Sequence, residues 1–383
     1  MTRSVTFAAL VALTACPPMP VQGPPDGTPV DAGGIIVDAG LDAGASCPAR
    51  SHLGDGGVCV TEVVWSPLPN DPPPRDHHGT LVVSSGAVRA LVVFGGIDEV
   101  SRAPRNDSWV APIVEGGMLG AWERGPVPAF WQVGHGSASD GARVYAVSGR
   151  TVSSGRLLNT PRVQSALLGP DGKLGAWREE TPIPGTGRFH VTATRVGRFL
   201  FAIGGRTDTG LTLPDVARAT IGPDGVLSAW ETLANLPAPR THHAAIAVGD
   251  RVLLLAGFDA PSWSGAITNH LDALTATVGP DGTLGPWVAQ TMPFGTSTHS
   301  ADLEDGFVYL VGGFDENLTI LSSVRRARVD AQGQLSGWES LTPLPLARAH
   351  VHQSPVSEGV IYSVGGNQGN HSATDAVFMG VLR

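Results

Sequence analysis

Lysine, cysteine and charged residues are scarce in this chain of 383 residues, and each scarcity excludes a class of protein. Lys173 is the only lysine, and a net charge of −9 without a basic run argues against nucleic-acid binding. All three cysteines, Cys16, Cys47 and Cys59, precede residue 60, so the rest of the chain has no thiol for catalysis or zinc binding. No long segment shows helical periodicity, and no P-loop, nucleophile elbow or zinc-helix motif occurs. The 50 glycines and 31 prolines instead favour short strands joined by turns.

Two sequence markers recur with the same period. One is a tryptophan, found four times in the near-copies LGAW, LGAW, LSAW and LGPW; the other is a glycine that closes an apolar run, usually as Gly-Gly. The tryptophans are Trp65, Trp122, Trp177, Trp230, Trp287 and Trp338, and the glycines are Gly96, Gly149, Gly205, Gly257, Gly313 and Gly366. Two markers with one period of roughly fifty residues predict a repeat protein with six units.

The fourth repeat shows what each unit builds. Two apolar strands flank Gly249-Asp250, a third strand is predicted near residues 272–278, and Asp281-Gly282 turns the chain into a fourth strand that carries Trp287. Asp-Gly supplies the positive φ of a tight hairpin, which explains these aspartates better than calcium binding does. Six units of four antiparallel strands predict an all-β, six-bladed propeller.

The repeats resemble the kelch family over residues 60–383. The resemblance is carried by Arg followed by His at the start of a unit, by an apolar run ending in Gly-Gly (VFGG, AIGG, LVGG, SVGG) and by the spaced tryptophan. Repeats 2 and 4 depart with Ser148-Gly149 and Ala256-Gly257, and both keep the second glycine. The resemblance implies a propeller, but the fold alone implies no particular activity.

The predicted ring has to close, because open sheet edges pair with other chains. The last repeat stops after its third strand, whereas residues 61–65 have the pattern of a fourth strand ahead of the first repeat. We therefore predict that residues 60–66 complete blade 6.

Residues 1–16 have the shape of a signal peptide, with Arg3 ahead of an apolar stretch too short to span a bilayer. The ending Leu-Thr-Ala-Cys resembles the bacterial lipobox, which implies lipidation of Cys16; an ordinary cleaved signal is the alternative. Pro17 in place of aspartate favours the outer membrane by the same resemblance. We expect an envelope lipoprotein, facing the periplasm or the cell surface, that contacts membrane through its lipid anchor only.

Residues 17–59 join this segment to the repeats. Residues 17–46 are rich in Pro, Gly, Ala and Asp, which predicts a disordered tether rather than a calcium site. Cys47 and Cys59 form a close pair in an exported chain, which predicts a disulfide closing a hairpin of residues 47–59. A metal site at this pair would have only His52 as a nearby ligand.

Loop length differs between the two faces of the predicted ring. Connections between strands 1 and 2 and between strands 3 and 4 are mostly tight turns on one side, the short-turn face. The opposite, long-loop face carries the connections from blade to blade and those between strands 2 and 3, near residues 97–108, 150–161, 206–214, 258–269, 314–321 and 367–374. Because binding residues concentrate on loops of a rigid scaffold, we predict a ligand on the long-loop face.

Arginines, histidines and tryptophans are the ligand-binding candidates on that face. The arginines suit an anionic ligand or cap neighbouring strands, and the tryptophans suit sugar stacking, protein contact or packing within their loop. The candidates are Arg75, Arg188, Arg240, Arg348, His77, His190, His242, His350, Trp131 and Trp263.

The histidines do not predict a metal site. Others follow one position later, at His78, His135, His243 and His299, and adjacent strand positions point opposite ways, so one uniform ring is not expected. The kelch resemblance implies instead that histidines hydrogen-bond between blades. We expect neither a metal nor another cofactor.

Known enzymes of kelch type set a further test. A copper-radical oxidase needs a cysteine-modified tyrosine, whereas the repeats have no cysteine and Tyr145, Tyr309 and Tyr362 share one second-strand position. Sialidase-type Asp boxes are also absent. We expect a monomeric module that binds an envelope or extracellular protein or glycan, rather than an enzyme. A kelch-type mutarotase or epimerase for an anionic, sialic-acid-like sugar is the alternative.

Overall fold

The structure, a computed structural model, describes residues 62–69, 72–98, 101, 103–369 and 372–383. Six antiparallel sheets of four strands each form a β-propeller, so the predicted fold class is confirmed. The predicted signal peptide, lipidation site Cys16, tether and Cys47–Cys59 disulfide lie outside the described residues and stay predictions. Within the described ranges, no helix is long and apolar enough to cross a membrane.

The strands follow one another blade by blade. The chain begins with β1 (Val63–Leu68). Blade 1 contains β2 (Gly79–Ser85), β3 (Val88–Phe94), β6 (Ser108–Pro112) and β7 (Glu123–Arg124), with the small hairpin β4 (Ile97–Asp98) and β5 (Ala103–Pro104). Blade 2 contains β8 (Gly136–Ser139), β9 (Arg143–Val147), β12 (Val163–Leu167) and β13 (Arg178–Glu180), with the hairpin β10 (Arg150–Ser153) and β11 (Arg156–Asn159). Blade 3 contains β14 (Thr192–Val196), β15 (Phe199–Ile203), β16 (Val216–Thr220) and β17 (Glu231–Thr232).

The second half repeats this order. Blade 4 contains β18 (Ala244–Val248), β19 (Arg251–Leu255), β22 (Asp272–Thr277) and β23 (Val288–Thr291), with the hairpin β20 (Phe258–Asp259) and β21 (Thr268–Asn269). Blade 5 contains β24 (Ser300–Glu304), β25 (Phe307–Val311), β26 (Val324–Val329) and β27 (Leu335–Leu341). Blade 6 contains β28 (Val356–Ser357), β29 (Val360–Val364) and β30 (Val377–Leu382), and a short 3-10 turn (Glu115–Gly117) lies in blade 1. All three small hairpins lie in connections between strands 2 and 3, on the long-loop face.

The N-terminal strand closes the ring as the sequence predicts. Strand β1 pairs antiparallel with β30, from Val63 opposite Leu382 to Leu68 opposite Val377. The strand therefore spans residues 63–68 within the described region, rather than ending at residue 66 as predicted. Its pairing gives blade 6 the fourth strand that the last repeat lacks.

The outer strands are shorter than the sequence predicts. Trp287 was expected within the fourth strand of blade 4, but β23 begins one residue later, and the tryptophans of blades 1 to 3 also directly precede their outer strands. The chain first pairs at the bridge between Val278 and Leu284, and then passes through Gly285 and Pro286 before pairing resumes. Gly285 still donates to the carbonyl oxygen of Thr277 at 2.8 Å, whereas Pro286 has no N–H to donate to the ladder.

The Gly-Gly marker joins neighbouring blades. In every blade, the N–H of the second glycine donates to a backbone carbonyl of the next blade over 2.8–3.0 Å. These bonds are Gly96 to Gln132, Gly149 to Arg188, Gly205 to Arg240, Gly257 to Thr296, Gly313 to Arg348 and, closing the ring, Gly366 to Arg75. Gly96 has φ +89°, and a Cβ there would lie 2.4 Å from the carbonyl oxygen of Asp76, so only glycine fits.

Candidate functional site

The four predicted arginines lie inside the propeller, with 0–5% of their surface exposed. Each guanidinium donates to the carbonyl oxygen just before the second glycine of its own blade, which ties the start of strand 1 to the end of strand 2. These bonds are Arg75 to Gly95 (3.2 Å), Arg188 to Gly204 (3.2 Å), Arg240 to Ala256 (2.8 Å) and Arg348 to Gly365 (2.8 Å). Such contacts are those expected if the arginines cap neighbouring strands. Ligand binding by these arginines stays a prediction.

Two of the arginines are also ion-paired. Arg75 donates to both carboxylate oxygens of Asp107 at 2.8 and 3.1 Å, and Arg240 pairs with Asp272 at 2.8 and 3.0 Å. Burial lowers the pKa of Arg75, while the hydrogen bond and charge of Asp107 oppose that shift. Burial alone would raise the pKa of Asp107, but the bonds from Arg75 bring it below its usual value. The Arg75–Asp107 pair therefore remains charged, and both ion pairs hold the third strand to the start of the first.

The histidines after these arginines share an unusual backbone conformation. His77, His190, His242 and His350 have φ between +52° and +55°, in the left-handed region. The corresponding residues of blades 2 and 5 are Gly134 and Thr298, with φ +60° and +53°. Histidine enters this region more readily than most side chains do. The left-handed turn places one residue of every blade at the propeller axis.

These four histidines and His352 form what we call the axial histidine cluster. The ring of His77 stacks on that of His350 with 4.1 Å between centroids, and the ring of His190 stacks on that of His242 at 3.6 Å. The centroids of His77 and His190 are 4.9 Å apart, which joins the two stacks. Burial and the neighbouring imidazoles hold the pKa of His190 and of His242 well below the usual value. Four of the predicted site residues are thus brought together.

The histidines one position later form a second group, which we call the inter-blade histidines: His78, His135, His243 and His299. Their rings are buried, and burial lowers the pKa of His135 and of His299 to about 3. His243 lies 2.7 Å from the hydroxyl of Thr192 in the preceding blade. The expectation that the histidines do not form one uniform ring therefore agrees with the structure, which separates them into two groups.

His352 and Asp302 are not among the site residues that the sequence predicts. His352 lies outside the repeated Arg-x-His register, so no periodic signal marks it. Its side chain and Asp302 line a channel of about 330 Å³ along the innermost strands. Burial raises the pKa of Asp302 to about 6, although the N–H groups of Val356 and Leu303 donate to its carboxylate at 2.8 Å. The channel thus contains a carboxyl group that titrates near neutral pH.

Trp131 lies in a cleft on the long-loop face, where the sequence predicts it. The cleft of about 700 Å³ is lined by Trp131, Phe130, the β10–β11 hairpin, Asn106 and Arg162. Trp131 is 37% exposed, and the guanidinium of Arg162 lies 3.7 Å from the centre of the Phe130 ring. The amide oxygen of Asn106 is buried and accepts no hydrogen bond within the described part of the chain. The cleft therefore offers an aromatic surface beside a polar group.

Trp263, the second predicted tryptophan, packs against residues of neighbouring loops on the long-loop face. Its indole N–H donates to the carbonyl of Asp208 at 2.8 Å. The guanidinium groups of Arg150 and Arg206 lie 4.7 and 4.3 Å from its ring centre. Arg150 also lies 4.5 Å from the centre of the Phe189 ring, which connects this group to the axial histidine cluster. Packing within the loops accounts for Trp263, whereas Trp131 keeps an exposed face.

Comparisons with known proteins give one distant relative and no matching family model. N-acetylneuraminate epimerase of Pasteurella multocida (strain Pm70) is 25% identical to this chain over 278 residues, which cover 62% of this chain and 68% of that protein. This similarity agrees with the six blades and with the Arg-x-His and Gly-Gly markers. The relative is thus consistent with a distant homologue of kelch type. The chain is a six-bladed β-propeller that is similar to this epimerase.

Proposed function

We propose that this protein is a glycan-binding module of the bacterial cell envelope that holds its ligand in the Trp131 cleft. The observation that carries the proposal is the exposed indole of Trp131 at a cleft of about 700 Å³ on the long-loop face. Indole rings stack on the apolar faces of sugars, and their N–H adds a donor at the edge. A cleft between two blades also suits an extended chain better than a flat surface does.

The polar groups around the cleft favour a sugar over an apolar ligand. Asn106 supplies a buried amide oxygen that a sugar hydroxyl satisfies, because an unmade hydrogen bond is costly in a buried place. Arg162 adds positive charge, although Glu179 pairs with it at 2.8 and 3.0 Å. Thr151 and Ser153, which carry hydroxyl groups, also line the cleft. A neutral or weakly acidic glycan fits this lining.

Envelope location is part of the same proposal and rests on the sequence. The lipobox-like ending at Cys16 supports a lipid anchor, and Pro17 supports the outer membrane. Incorporation of labelled palmitate in the bacterial host, compared with a Cys16→Ser variant, tests the anchor. Loss of labelling and release of the variant from membranes is the expected result. Equal labelling of both proteins would exclude Cys16 as the lipidated residue.

Glycan binding is tested by titrating the protein with purified envelope polysaccharides and their oligosaccharides. Replacing Trp131 by Ala should lower affinity by roughly tenfold or more, since stacking on one aromatic residue contributes about 1 to 2 kcal/mol. Val114 is 50% exposed on the short-turn face, so Val114→Ala is the matched control. If the protein captures an envelope protein through Trp131 and binds no glycan, the ligand of the cleft is a protein and the glycan proposal is wrong.

A sugar epimerase or mutarotase is the second candidate, favoured by the similarity to N-acetylneuraminate epimerase. Opening and closing a sugar ring needs a general acid–base group whose pKa lies near the working pH. Asp302, with a pKa of about 6, meets that requirement in the axial channel. Anomer exchange of N-acetylneuraminate, followed by NMR, should fall about 100-fold in Asp302→Asn if this candidate is right. Exchange no faster than the spontaneous reaction in the parent protein would exclude it.

A further inference from the structure

Histidine is not required by the backbone at the propeller axis. Gly134 and Thr298 occupy the same left-handed position in blades 2 and 5, so the turn forms without an imidazole. Blades 1, 3, 4 and 6 nevertheless place histidine there, and the rings converge. One ring nitrogen from each of His77, His190 and His350 lies within 4.8 Å of the other two. The turn therefore brings one residue of each blade to the axis, but it does not require that residue to be histidine.

His190 gives a second, independent observation. Its side chain is at the centre of the cluster, only 1% of the residue is exposed, and neither ring nitrogen has a hydrogen-bond partner in the described part of the chain. An unsatisfied buried polar atom is expensive, and an imidazole with two such atoms is doubly so. Neutral imidazole nitrogen is also among the commonest metal ligands. A bound ion would satisfy one of the two ring nitrogens of His190 in place.

Asp76 holds His77 in the way that metal-ligating histidines are held. The carboxylate of Asp76 is buried and lies 2.7 Å from Nδ1 of His77, and its second oxygen accepts a hydrogen bond from Asn367 at 3.0 Å. A proton on Nδ1 makes Nε2 the nitrogen that carries the lone pair. Carboxylates in this position orient metal ligands and raise their basicity.

We propose that His77, His190 and His350 bind a divalent transition-metal ion, with Zn²⁺ as the type case, on the propeller axis. Three imidazoles with a further position open to solvent or substrate are an established zinc arrangement, and imidazole also suits copper, nickel and cobalt. His242 and His352 lie beside the three ligands, with ring centroids 3.6 and 5.2 Å from that of His190. Either is close enough to serve as a fourth ligand after a rotamer change.

The dimensions suit such an ion with little rearrangement. An ion centred among three nitrogens no more than 4.8 Å apart is at most about 2.8 Å from each, against about 2.0–2.1 Å for a Zn–N bond. Each ring therefore has to move by less than about 1 Å. His352 also lines the axial channel, which gives an ion a route along the innermost strands.

The test is metal titration of the untagged full chain after removal of metals with a chelator. Co²⁺ and Zn²⁺ are the probes, because Co²⁺ bound by nitrogen in a tetrahedral site absorbs visible light and Zn²⁺ displaces it. We expect one ion per chain, the visible bands of four-coordinate Co²⁺, and their loss when Zn²⁺ is added. A parent protein that binds neither ion, or that binds them without these bands, overturns the proposal.

Substitutions place the ion at the cluster. His190→Asn keeps a side chain suited to the left-handed region and should weaken binding more than about 100-fold; Asp76→Asn should weaken it about 10- to 100-fold. His270→Ala removes a histidine outside the cluster and should leave affinity unchanged. His350→Asn is the second ligand variant should His190→Asn fail to fold, as judged by circular dichroism. Binding as tight as the parent's in the folded ligand variant overturns the proposal.

Discussion

Two groups of histidines lie one position apart in the sequence and yet in different parts of the molecule. The axial histidine cluster sits where left-handed residues meet at the centre of the ring. The inter-blade histidines sit between neighbouring sheets, where they pack against the first glycine of the preceding blade: a Cβ at Gly95, Gly204 or Gly365 would lie 2.9–3.0 Å from Cε1 of His135, His243 or His78. Backbone conformation, and not residue type, decides which group a histidine joins.

The difference separates histidines that pack between neighbouring blades from histidines that meet at the propeller axis. The inter-blade group belongs with the buried arginines and the Gly-Gly hydrogen bonds, all of which join one blade to the next or one strand to another. The axial group contributes ring stacking, and neither ring nitrogen of His190 has a hydrogen-bond partner within the described protein. Substitutions in the first group should therefore cost stability, and substitutions in the second should cost binding.

The largest effect is expected at Arg75. Changing Arg75 to Met removes the partner of Asp107 and leaves a buried carboxylate beside an apolar side chain. Loss of one partner of a buried ion pair costs about 3–5 kcal/mol. Urea unfolding should show a free energy of unfolding lower by that amount. A loss under 1 kcal/mol would mean that the pair contributes little to holding the blades.

A smaller loss is expected at His243, and it sharpens the comparison directly. His243→Ala removes a buried ring and its hydrogen bond with Thr192, at an expected cost of about 2–3 kcal/mol. His190→Asn, in the axial group, should cost less than about 1 kcal/mol, because the left-handed turn is kept and no hydrogen bond is lost. Thermal unfolding of both variants in a chelator measures the difference. Equal losses would erase the distinction between the two groups.

Asp302 predicts a pH dependence of stability. Its pKa of about 6 in the folded state, raised by burial and by the charge of Glu304, exceeds the ordinary value of 3.8. The folded state therefore binds the proton more tightly, so this contribution to stability is present below pH 4 and is lost as the pH rises through 6. Relative to Asp302→Asn, the parent should lose about 2 kcal/mol between pH 4 and pH 7. Parallel curves of unfolding free energy against pH would contradict the raised pKa.

The smallest effect on stability is expected at Trp131. With 37% of its surface exposed, Trp131→Ala should change the free energy of unfolding by no more than about 0.5 kcal/mol while it weakens glycan binding. Chemical unfolding of the same samples used for titration checks this. A large loss of stability would show that the indole mainly packs against its own loop rather than forming the binding surface of the cleft.

The sequence predicts the ring, its six units and its closure, because tryptophan and glycine recur with one period and residues near 63–65 supply the absent strand. It does not predict the convergence of histidines. Side chains alternate between the two sides of a strand only where the backbone is extended. The left-handed conformation of His77 and its equivalents breaks that alternation. His352 and Asp302 carry no repeated signal at all, and no single residue type marks the late start of the outer strands, since Pro286 of blade 4 is replaced by Ala121, Ala176 and Ala229 in blades 1 to 3. The repeat period thus predicts the propeller scaffold, whereas the candidate site depends on residues that depart from the repeat.

The closing strand also brings the two ends of the described chain together on one face of the ring. Strand β1 runs from the short-turn face toward the long-loop face, and Glu62 and Arg383 exchange two backbone hydrogen bonds of 3.1 Å at its beginning. Both ends of the described chain therefore leave from the outer rim on one side. That side is the short-turn face, so the described ends of the chain lie opposite the Trp131 cleft on the long-loop face.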